Sequence, residues 1–67
     1  MKVAFNIPMD AKMIEVDYIH GGVKYKKIMP NPKDNGLLAI ALGKDPRKIE
    51  MKNVRDVRAF VPHVQVS

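Results

Sequence analysis

A chain of 67 residues without cysteine has length for one small domain, residues 1–67. Such a domain buries only about 60% of the surface its unfolded chain exposes, and neither disulfides nor a thiolate metal site can reinforce it. Twelve Lys and Arg against seven Asp and Glu give a formal charge of +5 and an isoelectric point near 9.8, which favours acidic partners such as nucleic acid or an acidic protein surface. No apolar run approaches the roughly 20 residues of a membrane span and no signal-peptide core follows Met1, so a soluble, cytoplasmic protein with no membrane partner is expected.

Val3, Phe5 and Ile7 alternate with polar or small residues, the period of a half-buried strand stopped by Pro8. Residues 9–13 read as a connection or a single helical turn. The clearest local signal runs from Met13 to Met29, two alternating segments around Gly21-Gly22, a pair that accepts the positive φ angles of a tight hairpin. A two-residue loop places Tyr18 opposite Tyr25 and Ile14 opposite Met29 on one side, with Val16 and Val23. Asp17 then faces Lys26 on the other side, near Glu15. Lys27 falls on the apolar side, which implies a rim position, a snorkelling side chain or a bulge.

Pro30-Asn31-Pro32 ends the hairpin and Asp34-Asn35-Gly36 reads as a second turn. Leu37–Leu42 is a continuous apolar run of strand length, expected as a central strand covered on both faces, with a helical turn as the alternative. The chain turns again at Gly43-Lys44-Asp45-Pro46. Ile49 and Met51 alternate with Glu50 and Lys52. After the polar break Asn53-Val54-Arg55-Asp56 a last alternating segment runs from Val57 to Val66, with Pro62 placing it at an edge or breaking it. Six short strands predict an all-β fold with little helix, a small antiparallel barrel or roll of five or six strands, Sm-like in form. Its expected core is Val3, Phe5, Ile7, Ile14, Val16, Tyr18, Val23, Tyr25, Leu38, Ile40, Leu42, Ile49, Met51, Val54, Val57 and Phe60. An Asp at Val16 or Ile40 is expected to unfold it.

The order Ile14-Glu15-Val16-Asp17-Tyr18, Gly21-Gly22, Pro30, Leu37–Leu42, a basic turn, then Arg47 to Val57 resembles the small Sm-like barrel of WYL domains over residues 13–60. That family is associated with bacterial transcription regulation and with sensing nucleic acid or nucleotide ligands. The resemblance implies a small barrel and places Arg47 where the family tends to carry a ligand-facing Arg. The chain departs from it in having no Trp, in Gly36-Leu37-Leu38 standing where the Trp-Tyr-Leu signature would be, and in no helix-turn-helix domain preceding the barrel.

Chemistry is sparsely provided for. Apart from Ser67 the chain has no Ser, Thr or Cys nucleophile, and His20 and His63 lack the spacing of a metal motif. Gly21-Gly22 lacks the spacing of a phosphate-binding loop, and Glu15 with Asp17 beside Lys26 reads as ion-paired surface. No enzymatic activity, metal or other cofactor is expected. What remains is basic: Lys24, Lys26 and Lys27 with Tyr25 on the second hairpin strand, Lys44, Arg47 and Lys48 around the Asp45-Pro46 turn, and Arg55 and Arg58 flanking Asp56. These eight cations are the candidate nucleic-acid-binding residues of a non-catalytic module, held mainly through phosphates. The two tyrosines read as core residues with wet hydroxyls ahead of stacking platforms. The competing reading is a protein-interaction module, a phage or mobile-element modulator of a host protein, or a homodimer formed through an edge strand.

Overall fold

The computed structural model describes residues 4–62. Two strands, β1 (Met13–His20) and β2 (Val23–Pro30), pair antiparallel around Gly21-Gly22. Both glycines have positive φ, +58° and +78°, as the tight two-residue turn matching strand twist requires. The register is the expected one, with Tyr18 opposite Tyr25, Ile14 opposite Met29 and Asp17 opposite Lys26. A helix, α1 (Asn35–Gly43), follows. After a 3-10 turn at Met51–Asn53 comes β3 (Val54–Ala59), which pairs antiparallel with the other side of β1. The sheet order is β2-β1-β3, so β2 and β3 run parallel to each other with β1 between them.

This open three-stranded sheet with one helix replaces the expected barrel of five or six strands, and each lost strand has an identifiable cause. The Asp34 side chain accepts the Leu37 N–H at 3.0 Å and its carbonyl accepts the Leu38 N–H at 2.9 Å. Asp34-Asn35-Gly36 is thus a helix start and not the expected turn. With that cap, the Leu and Ala of 37–42 follow their helical preference. Residues 4–7 form no strand because Asn35 supplies the bonds a neighbouring strand would have made, its side-chain amide taking the Phe5 N–H at 2.8 Å and donating to the Phe5 carbonyl at 3.0 Å. Asn31 likewise donates to the carbonyls of Pro8 and Ala11. Around Ile49, whose N–H bonds back to the Leu42 carbonyl, the chain bends into the 3-10 turn instead of extending.

The core lies on one face of the sheet, where Ile14, Val16, Tyr18, Met29, Val54 and Val57 meet Leu38, Leu42 and Ile49. Phe5, Ile7, Tyr25 and Met51 pack against it half-buried, and Phe60 is also half-buried. Two expected core residues are surface: Ile40 is 58% and Val23 52% exposed. The helical period that turns Leu38 and Leu42 inward rotates Ile40 outward, and Val23 closes the hairpin opposite exposed His20. Val3 and His63 lie outside the described residues. The last strand begins three residues before its expected start, at Val54, and ends at Ala59, short of Pro62, on an edge of the sheet. Among the described residues no helix is long and apolar enough to cross a membrane.

Candidate nucleic-acid interface

Strand alternation sends Glu15, Asp17 and Ile19 of β1 and Lys24, Lys26 and Ile28 of β2 to the sheet face opposite the core, with Asp56 and Arg58 of β3. Arg58 is their hub. Its Nη1 donates to Asp17 Oδ2 at 2.8 Å and Asp56 Oδ2 at 2.6 Å, while Nη2 lies 3.0 Å from Glu15 Oε2. The hydrogen bonds to Asp17 and Asp56 raise its pKa further above the ordinary value. Lys26 Nζ stands 3.7 Å from Glu15, a looser pairing. Arg58 is therefore spent on three carboxylates, and the middle of the open face carries net negative charge.

Towards the hairpin turn the sign changes, and a β-bulge is the reason. Between Asp17 and Tyr18 the register with β3 slips by one residue, Asp17 facing Asp56 but Tyr18 facing Val54. Strict alternation from buried Val57 would put Val54 in solvent and Arg55 in the core. The extra residue returns Val54 to the core and turns Arg55 outward. Arg55 then lines a half-open concavity of about 440 Å³ together with Asp17, Ile19, Lys24 and Lys26, closed behind by Tyr18 and Tyr25.

Of the four remaining cations, Lys44, Arg47 and Lys48 belong to the turn after α1 and Lys27 to β2. Lys27, on the core side of β2, reaches Asp45, Nζ to Oδ2 at 2.7 Å, with the Asp45 side chain only 7% exposed. This accounts for a lysine on an apolar face. Asp45 Oδ1 accepts the Arg47 N–H at 2.9 Å and the Asp45 carbonyl accepts the Lys48 N–H at 2.7 Å, which fixes a tight turn with Pro46 at its second position. Arg47 lies over the Tyr25 ring, 4.8 Å from its centroid, and its Nη1 donates to the Tyr18 hydroxyl at 3.0 Å. The two tyrosine rings stack at 5.6 Å, and His20 meets Tyr25 edge-on. Tyr18 is thus core with its hydroxyl satisfied, and the Tyr25 ring is covered by a guanidinium.

The hydrogen bond from Lys27, with that from the Arg47 backbone, lowers the Asp45 pKa below the usual 3.8. A carboxylate depressed in the folded state adds stability that is complete above about pH 5 and fades as pH falls through its folded value. Asp45→Asn is therefore expected to melt below the wild type at neutral pH, with the gap closing below about pH 4. Thermal melts across that range check this, and a gap constant with pH contradicts it.

Of the eight candidate cations, Lys24, Lys26 and Arg55 gather on the open face and Lys44, Arg47 and Lys48 on the turn docked against the core side of β2. Lys27 and Arg58 are held in ion pairs. The two groups do not share one face. They meet across β2, an edge strand. Sequence reading missed the bulge and the concavity it shapes, although Val54 and Val57, apolar and three apart in a strand of period two, are its signal. No protein-family model, curated protein or solved structure matches the chain, so the likeness to WYL domains rests on the quoted residues alone.

Proposed function

We propose that this protein is a non-catalytic, cytoplasmic binding module that holds nucleic acid through its phosphates, with transcription regulation as the setting the WYL likeness suggests. One observation carries the reading. Lys24, Lys44, Arg47, Lys48 and Arg55 are exposed with no carboxylate partner among the described residues, while Glu15, Asp17, Asp45, Glu50 and Asp56 are all occupied by other cations. Uncompensated cations on a rigid scaffold release counterions from a phosphate backbone on binding. Arg47 is also pre-organised, since its bond to Tyr18 and its seat on Tyr25 fix the guanidinium with donors to spare.

Fluorescence anisotropy of labelled single-stranded DNA, RNA and duplex DNA at low salt is the direct test. Saturable binding to at least one of them is expected, and none to any of them contradicts the reading. A protein-interaction module is the second reading, favoured by the outer face of α1. That helix carries no charged residue, and Leu37 and Ile40 are more than half exposed. A negative result with all three nucleic acids places it first.

A further inference from the structure

Resting on that reading, we infer that the nucleic acid is single-stranded, that it wraps the β2 edge at the hairpin end, and that one of its nucleotides sits in the open-face concavity. The first ground is the placement of the free cations. Lys24 and Arg55 lie on one side of the sheet, Lys44, Arg47 and Lys48 on the other, and the path between the groups runs round β2. The molecule is only 18 Å across its thinnest dimension. A duplex, stiff over about 150 base pairs, does not fold round such a body, whereas a single strand turns at every nucleotide.

The second ground is the concavity. At about 440 Å³ it falls in the size range of small-ligand sites, and its contents suit one nucleotide. Ile19 and the long aliphatic chains of Lys24 and Lys26 among its lining residues suit a base, and the free charges of Lys24 and Arg55 in the same lining suit its phosphate. Bases paired inside a duplex cannot enter. Asp17 also lines the site, with both carboxylate oxygens taken by Arg58 at 2.8 and 3.2 Å, so its charge is answered from within the protein. The acid-rich cluster behind it repels a strand from the rest of the open face and confines it to the hairpin end. With Tyr18 buried and Tyr25 covered by Arg47, the base meets aliphatic surface, and weak sequence preference follows.

The test is a backbone-amide NMR titration of the full chain with a short single-stranded oligonucleotide and with the duplex of the same sequence, alongside affinities of two variants. The expected result is single-strand affinity at least about tenfold above duplex affinity, with shifts at both Ile19, Lys24 and Arg55 and Lys44 to Lys48. Lys24→Glu with Arg55→Glu, and separately Lys44→Gln with Lys48→Gln, should each weaken single-strand binding while leaving the amide spectrum of the free protein folded. Equal duplex affinity, or shifts and losses confined to one face, overturns the wrapped single strand while phosphate binding itself stands. Absence of binding to either form removes both.

Discussion

Val16→Asp is expected to leave the chain unfolded at 25 °C, and Ile40→Asp to leave it folded. Val16 has no exposed surface and lies in the central strand between Lys27 of β2 and Val57 of β3. The neighbouring Lys27 is already held by Asp45 at 2.7 Å, so a carboxylate at position 16 either stays unpaired or breaks that ion pair, and a buried unpaired charge costs several kcal/mol. At about 0.05–0.15 kcal/mol per residue a domain this small holds only about 3–10 kcal/mol in all. Ile40 sits on the solvent side of α1, where Asp forgoes some helix propensity, about 0.5 kcal/mol, and buries nothing. Thermal melts followed by far-ultraviolet dichroism separate the two. Two folded variants would mean that the inward face of β1 is assigned wrongly, and two unfolded ones that the inward face of α1 is.

The largest effect on binding is expected from Lys24→Glu combined with Lys48→Glu. Each phosphate contact on a single strand contributes a salt exponent of about 0.7, close to one decade of affinity at about 50 mM salt, so two lost contacts plus new repulsion should weaken binding roughly 100-fold. Both side chains are exposed and have no carboxylate partner among the described residues, so melting should change little. Lys33→Glu alters an exposed lysine just beyond Pro30, at the far end of the hairpin from Gly21-Gly22, and is expected to cost much less affinity. A loss from Lys33→Glu as large, per reversed charge, as that from the double variant, about half its total in log affinity, would mean that net charge alone, with no particular surface, governs binding.

The hairpin was legible in the chain because two signals agree there: apolar alternation fixes which residues face inward, and Gly21-Gly22 fixes the register between the strands. Leu37–Leu42 was not legible as a helix from periodicity, since a wholly apolar run shows neither period; the cap at Asp34, read as a turn, decides it. The missing first strand depends on Asn35, thirty residues away from Phe5, and no local pattern announces a side-chain amide standing in for a strand. For the candidate site, charge was visible in the sequence and its compensation was not. Arg58 and Lys27 look like free cations in the chain and are ion-paired in the fold. Arg47 is placed by contacts with Tyr18 and Tyr25 that only the docked turn creates.

The most direct test of phosphate binding is the salt dependence of affinity for single-stranded nucleic acid, measured for the wild type and for Lys24→Glu with Lys48→Glu. With about three to five free cations engaged, log affinity against log salt should fall with a slope between about −2 and −3.5, and the double variant should flatten it by about 1.4. A wild-type slope near zero, or a slope unchanged by the double reversal, would contradict phosphate binding by this surface.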